Sequence, residues 1–134
     1  MNTKIKKTSM KVQKTKQAIE PIDLIDDYKK GIRSIQDTLY ILSGKWKLPI
    51  MAILCSGEFR YSEIEQGVPK ITPKMLSKEL KILELNQLVE RKVYDSTPVK
   101  VTYRLTKHGK TLEPLIIEML EWGAKHRDKI RTIK

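Results

Sequence analysis

The stretch that decides the fold is Ile71-Thr-Pro-Lys-Met-Leu-Ser-Lys-Glu-Leu-Lys-Ile-Leu-Glu84. It begins like a helix, because Thr72 is a suitable N-cap and Pro73 fits the first helical position, where no backbone donor is needed. At about 100° per residue, leucines form one stripe and lysines form another on the opposite side. The two stripes are Leu76, Leu80 and Leu83, and Lys74, Lys78 and Lys81. One face therefore suits a protein core and the other a polyanion, as in a helix that lies in a DNA major groove.

A simpler interpretation of these lysines is a solvated helix face, which such a pattern usually indicates. The apolar side is also interrupted, because Glu79 projects between the leucine stripe and the pair Met75 and Ile82. We therefore expect a cationic partner for Glu79 at the edge of the core. The sequence on either side of this helix has to decide between the two interpretations.

The composition indicates one small domain with a basic tail. The chain has 134 residues, of which 40% are hydrophobic, and a formal net charge of +11. Such a charge favours nucleic acid or an anionic membrane surface as a partner. Residues 1–17 contain six lysines and no acidic residue. We therefore predict a disordered basic tail over residues 1–20 and a folded domain over residues 21–134.

Cysteine content and hydropathy exclude several protein classes. The single cysteine, Cys55, permits no intrachain disulfide and no cysteine zinc site. The N-terminus lacks the apolar run of a signal peptide, and no run of about 18 apolar residues occurs anywhere in the chain. We therefore expect a soluble cytoplasmic protein without a metal or other cofactor.

The segment before the two-faced helix predicts further helices. Residues 21–30 indicate a short helix or a strap, and order is expected from Ser34, which with Asp37 resembles a capping box. That helix is predicted to end at Ser43-Gly44. Two more helices are predicted, at residues 45–55, which are apolar nearly all round and so belong at the centre of a domain, and at residues 59–66.

The segment after the two-faced helix changes from a helical to an alternating period. Residues 88–94 and 101–105 are β-rich and predict a hairpin with a polar tip. Thr106 then caps a final helix, which Pro114 should kink. A short helix, a basic helix and a hairpin in this order predict a winged helix-turn-helix, a mainly α fold with a small β-hairpin wing.

Residues 37–123 resemble the HxlR-type transcriptional regulators of bacteria and archaea, which are relatives of the MarR group. The resemblance rests on a set of short motifs. These are Leu42-Ser-Gly-Lys-Trp46, Phe59-Arg-Tyr-Ser-Glu-Ile64, Ile71-Thr-Pro-Lys-Met-Leu-Ser-Lys-Glu-Leu80, Leu83-Glu84, Leu88-Val89, Val101-Thr-Tyr-Arg-Leu-Thr106 and Gly109. It implies a regulator that dimerises through its terminal helices and binds double-stranded DNA at operators of two inverted half-sites. It does not specify a small-molecule effector.

The resemblance also implies site residues. The candidate major-groove and phosphate contacts are Thr72, Lys74, Met75, Ser77, Lys78 and Lys81, and the wing contacts are Lys92 and Lys100. Lys45, at a helix N-terminus, could meet a phosphate, whereas Trp46 is expected to be a core anchor. The closing helix has more apolar surface than a small domain can cover, so we expect a dimer interface there. Its candidate residues are Leu112, Leu115, Ile116, Met119 and Trp122.

The sequence departs from the family at two places. Many members have a cysteine at the start of the first helix, used by some as a thiol sensor, and that position is Arg33 here. Cys55 instead lies in an apolar helix, where a cysteine is usually an inert packing residue. The doubled proline often found at the wing tip is only Pro98-Val99 here, so the wing could differ in shape.

The sequence gives less support to three other functions. No nucleophile motif, carboxylate pair or phosphate loop indicates an enzyme, and His108 and His126 read as surface residues. A winged helix that binds protein instead of DNA is the second alternative, since one fold hosts many functions. Acidic residues on the outer face of the helix would favour it, and here that face carries lysine and serine. Membrane-surface binding is disfavoured because the tail lacks an aromatic and leucine face.

Overall fold

A computed structural model of the chain describes residues 21–133, so the predicted basic tail, residues 1–20, lies outside the described residues. The helices are α1 (Pro21–Ile41), α2 (Lys47–Leu54), α3 (Tyr61–Gly67), α4 (Pro73–Leu85), α5 (Lys107–Lys110) and α6 (Glu113–Ile133). The strands are β1 (Phe59–Arg60), β2 (Val89–Tyr94) and β3 (Lys100–Leu105). The chain divides after Ile41, so that α1 belongs to one compact unit and all later elements belong to a second.

In the part of the first unit that the structure describes, residues 21–41 form one continuous helix, where the sequence indicated a short helix or a strap followed by a later start of order. Ser34 lies inside α1, where its hydroxyl donates to the Lys30 carbonyl at 3.2 Å. The predicted capping box at Ser34 is therefore wrong. The helix continues through this position because apolar residues recur at helical spacing. These residues are Tyr28, Ile32, Ile35 and Leu39.

The second unit is built around α2, as its apolar sequence predicted. Ile50 and Met51 of this helix are fully buried. Their neighbours on α3 and α4 are also fully or almost fully buried, namely Ile64, Leu76, Leu80 and Leu83. Because the leucine stripe of α4 enters this core, the opposite, basic side of the helix is turned outward.

The wing is a three-stranded antiparallel sheet in the order β1-β3-β2, which is one strand more than predicted. Phe59 and Arg60 pair with Tyr103 and Thr102, so the helix predicted from residue 59 begins only at Tyr61. Two residues are too few to show a strand period, which is why the sequence concealed β1. The backbone amide of Arg60 donates to Glu63 Oε1 at 2.8 Å, which satisfies a free donor at the start of α3.

The connection from the wing to the closing helix turns at Thr106. Thr106 caps a helix as predicted, because its Oγ1 accepts from the Gly109 amide at 2.9 Å, but that helix is the short α5 and not the closing helix. A side chain at Gly109 would not fit, since a Cβ there would lie 2.0 Å from the Leu88 carbonyl oxygen. The predicted kink at Pro114 is wrong. The helix is divided instead into α5 and α6, and Pro114 is the second residue of α6, where it disrupts no internal hydrogen bond.

Candidate nucleic-acid interface

The outer face of α4 is formed by side chains that the sequence singled out, and all six of them are exposed: Thr72, Lys74, Met75, Ser77, Lys78 and Lys81. The helix starts as predicted, because Thr72 Oγ1 accepts a hydrogen bond from the Met75 amide at 3.2 Å and Pro73 occupies the first turn. The buried leucine stripe beneath fixes this face relative to the core. The arrangement presents a rigid row of cations on one side of a helix.

A buried ion pair supports α4 from below, and it confirms the cationic partner expected for Glu79. Lys47 Nζ lies 2.8 Å from Glu79 Oε2 and donates to the Ser43 carbonyl at 2.9 Å. The pair ties α2 to the helix that carries the lysine row.

Tyr61, which the sequence interpretation did not select, contacts the outer half of α4. Its hydroxyl donates to the Pro73 carbonyl at 2.6 Å and lies 3.0 Å from Ser77 Oγ. The contact joins the first residue of α3 to the first turns of α4. No local pattern could have indicated it, because Tyr61 and Ser77 are 16 positions apart.

A cleft of about 520 Å³ lies between α4 and the wing, lined by Ser77, Lys78, Lys81, Glu84, Arg91 and Tyr103. Arg91 and Tyr103 are directly paired across β2 and β3, so their side chains share one face of the hairpin. Arg91 therefore adds a cation to the lysine row of α4. The sequence interpretation missed it, and only the strand alternation together with the buried Val89 and Leu105 could have indicated it.

The predicted wing residues Lys92 and Lys100 lie on the other face of the hairpin. Their ammonium groups lie 5.0 Å and 5.2 Å from the centroid of the Tyr94 ring. The Tyr94 hydroxyl in turn donates to Glu58 Oε2. This hydrogen bond, more than any other contact, lowers the pKa of Glu58, and the charges of Lys92 and Arg104 act in the same direction. The structure thus brings these lysines together with each other and not with the lysine row of α4.

Lys45 and Trp46, which precede α2, lie at the surface and against the core, respectively, as the sequence predicted. Lys45 is exposed, and its Nζ lies 4.8 Å from the centroid of the Trp46 ring. Trp46 is half-buried against the core, as expected for an anchor. Lys45 therefore offers a charge at the surface, while the neighbouring indole packs inward.

The candidate interface residues of the closing helix divide into two groups. Ile116 is only 3% exposed and belongs to the core of its own chain, and Leu112 is packed against that core. Leu115, Met119 and Trp122 are exposed, Trp122 to 67%. Ile116 is therefore corrected to a core residue, because it faces the apolar side of α2 while Leu115 beside it points away.

Cys55 lines a second cleft, of about 600 Å³, with Glu58, Arg104 and Glu113 among its other residues. Burial, and to a smaller extent the charge of Glu113, raise the pKa of the Cys55 thiol. Among residues 21–133, no group of three or more His, Cys, Asp or Glu side chains could hold a metal ion. No helix in this part of the chain has the length and hydropathy needed to cross a membrane.

A winged helix-turn-helix with a basic outer helix face defines the class as DNA-binding transcriptional regulators, and comparison with known proteins agrees. Residues 41–131 match the model of the HxlR-like helix-turn-helix family. The chain is 43% identical over 113 residues to an uncharacterized HTH-type transcriptional regulator of Bacillus subtilis, YdeP, with 84% of this chain and 88% of the relative covered. The chain belongs to the HxlR-like helix-turn-helix family, as its motifs indicated.

Solved structures agree with this assignment. The redox regulator HypR in its reduced form superposes with a TM-score of 0.68 at 38% identity, covering 74% of this chain and 98% of HypR. The reduced form of the transcriptional regulator YodB from Bacillus subtilis gives 0.60 at 34% identity, covering 78% and 91%. The predicted winged helix-turn-helix fold is thereby confirmed.

Proposed function

We propose that this protein acts as a cytoplasmic homodimer that binds double-stranded operators of two inverted half-sites and regulates transcription. The observation that carries the proposal is the exposed lysine row of α4 above its buried leucine stripe. A helix held in this way can enter a major groove without changing the core beneath it. In this proposal the chain has no catalytic role and needs no cofactor.

The proposed DNA contacts divide by position. The outer face of α4 lies in the major groove, where its N-terminal half reads base edges and its lysines also meet phosphates. These residues are Thr72, Lys74, Met75, Ser77, Lys78 and Lys81. Lys45 meets a phosphate beside α2, and Lys92 and Lys100 meet the backbone at the shoulders of the wing. Arg91 joins this set, because it lines the same cleft as Lys78 and Lys81.

The proposed dimer uses the terminal helices. On α6, Leu115, Met119 and Trp122 are exposed, which a small domain tolerates poorly unless a partner covers them. On α1, Tyr28, Ile32 and Ile35 are exposed at helical spacing as well. In a two-fold dimer the partner subunit can cover each of these exposed helix faces, and the two α4 helices are placed on successive half-sites.

Thiol chemistry is not part of the proposal. A relative is named as a redox regulator, yet this chain has Arg33 where the family's sensing cysteine is expected. The remaining thiol, Cys55, has a raised pKa, which reduces the reactive thiolate at neutral pH. We therefore propose that DNA binding is independent of Cys55.

The test is selection of preferred sequences from a random duplex library, followed by titration of the selected and a scrambled duplex. The wild-type protein should prefer the selected duplex by at least about a thousandfold, and the selected sites should contain inverted repeats. Lys78→Glu should abolish the preference, whereas Lys107→Glu, which makes the same charge change on α5, should leave it. Failure to enrich any sequence would sink the proposal and favour a winged-helix module that binds protein.

A further inference from the structure

We infer that Tyr61 fixes the hydrogen-bond polarity of Ser77, so that Ser77 accepts hydrogen bonds from bases and does not donate them. Ser77 would then read an amino group in the major groove, either adenine N6 or cytosine N4. The inference rests on the proposed function, because it requires the outer face of α4 to lie in the groove. It makes Tyr61 a positioning residue for base recognition, without contact to DNA of its own.

The direction of the hydrogen bonds follows from counting protons. The Tyr61 hydroxyl has one proton, and its oxygen lies 2.6 Å from the Pro73 carbonyl oxygen and 3.0 Å from Ser77 Oγ. A carbonyl oxygen only accepts, so the proton of Tyr61 is directed to Pro73. In the contact between the two hydroxyls, Ser77 must therefore be the donor. Its single proton is engaged with Tyr61, and only the lone pairs of Oγ remain for a base.

The hydrogen bond that a serine hydroxyl usually makes inside a helix is not available to Ser77. A serine hydroxyl commonly donates to the carbonyl four residues earlier, which for Ser77 is that of Pro73. The lone pairs of this oxygen already have two donors, the helical amide of residue 77 and the Tyr61 hydroxyl. Tyr61 thus donates to the Pro73 carbonyl that Ser77 would otherwise use, and its own hydroxyl oxygen accepts the Ser77 proton.

The polarity matters because the three lysines of this face are all donors. Lys74, Lys78 and Lys81 carry only N–H donors, which suit guanine O6 and N7 or a phosphate oxygen. A free serine hydroxyl can pair with either kind of base edge. With its proton engaged, Ser77 becomes a neutral acceptor between these cations. Thymine O4 or guanine O6 opposite Ser77 would then meet a lone pair and be rejected.

The experiment compares base preference in three variants against the selected operator. Ser77→Ala first identifies the base pair that Ser77 reads, as the position where preference is lost. At that position the wild type should prefer the pair with an amino group opposite Ser77 by roughly tenfold to a hundredfold. Tyr61→Phe keeps the ring, which packs against the core, and removes only the hydroxyl. It should weaken the preference at that position by about threefold or more, because the Ser77 hydroxyl can then rotate between the Pro73 carbonyl, which has lost one of its two donors, and the base.

The controls distinguish a loss of base recognition at one position from a general loss of affinity or of the fold. Preferences at the other operator positions should be unchanged in Tyr61→Phe, and circular dichroism should show an unchanged fold. The double variant Tyr61→Phe/Ser77→Ala should match Ser77→Ala at the position in question, since both changes act through one hydroxyl. A uniform loss of affinity in Tyr61→Phe, or an undiminished preference for the amino group, would overturn the inference alone. No sequence preference even in the wild type would overturn the proposed function together with it.

Discussion

The ammonium group of Lys47 lies 2.8 Å from the carboxylate of Glu79, with only 7% and 13% of the two side chains exposed. Their charges are therefore held largely out of water and depend on each other. Breaking such a pair leaves one buried charge without compensation, whereas replacing both members by apolar side chains removes the desolvation cost as well. The two helices joined here are the central helix α2 and helix α4, which carries the lysine row.

We predict that Lys47→Met lowers the free energy of unfolding by about 3–5 kcal/mol, because Glu79 then remains buried and unpaired. The double variant Lys47→Met/Glu79→Leu should recover most of that loss. Lys45→Met is a matched control at an exposed lysine two positions away, and it should change stability by less than about 0.5 kcal/mol. Urea unfolding at constant m-value measures all three. Equal changes in the free energy of unfolding for Lys45→Met and Lys47→Met would show that the loss does not come from the Lys47–Glu79 pair.

DNA binding should depend steeply on salt. If lysines from two subunits neutralise roughly six to ten phosphates, the logarithm of affinity should fall with a slope of about −5 to −9 against the logarithm of salt concentration. Lys78→Ala removes a cation from each subunit, so it should make the slope shallower by about 2. Fluorescence anisotropy at several salt concentrations measures both. A binding constant that stays the same between low and physiological salt would contradict the DNA contacts.

The two faces of the wing should contribute unequally. Arg91 and Lys92 are adjacent on β2, but Arg91 lines the cleft beside α4 while Lys92 lies over Tyr94. Arg91→Ala should make the salt slope shallower by about 2 per dimer, and Lys92→Ala should change it by less. The two variants are controls for each other, because each removes one positive charge from the same strand. A larger effect at Lys92 would place the duplex on the Tyr94 side of the wing.

Adjacent residues on α6 should separate dimerisation from folding. Leu115 is 42% exposed and Ile116 is 3% exposed. Leu115→Glu should give a folded monomer with weak operator binding, because it places a charge in the proposed interface. Ile116→Ala should lower the free energy of unfolding by about 2–5 kcal/mol and leave the dimer intact. Sedimentation and urea unfolding measure the two properties, and a wild-type monomer at micromolar concentration would refute the interface.

The Cys55 thiol should react slowly. Its pKa is raised by burial and by Glu113, so less thiolate is present at neutral pH than in an ordinary thiol. Alkylation by iodoacetamide should therefore be slower than that of glutathione at pH 7 and should accelerate only as the pH rises above the usual thiol range. Glu113→Gln should lower the pKa and speed the reaction, while Asp128→Asn, also on α6, should not. Mass spectrometry of the labelled protein follows the rate, and reaction as fast as glutathione would contradict the prediction.

Helix α4 was predictable because its signals are local. The cap at Thr72, the proline after it and the leucine period all lie within one short segment, and each is read correctly from the sequence alone. The partner of Glu79 was also predictable, since an acidic group among leucines needs a cation. That this partner is Lys47 could be learned only from the packing of α2 against α4.

Other parts of the interface could not be predicted, because they depend on which of two similar faces packs inward. Both faces of the hairpin carry cations and apolar groups, so the alternation alone did not show that Arg91, and not Lys92, faces α4. On α6, apolar residues surround the helix, and the sequence could not separate Ile116 from Leu115. Strand β1 is two residues long and has no period to detect.

The division of α4 into a buried and an exposed side has a consequence for how such a regulator can diverge. After gene duplication, one copy could acquire a different target through changes at positions 74, 78 and 81, since none of these side chains is buried. The stability of the fold would impose little constraint on those steps. Position 77 is the exception, because its hydroxyl is joined to Tyr61. A new residue there would leave the tyrosine with an altered partner, so divergence at this position should require paired changes in α3 and α4.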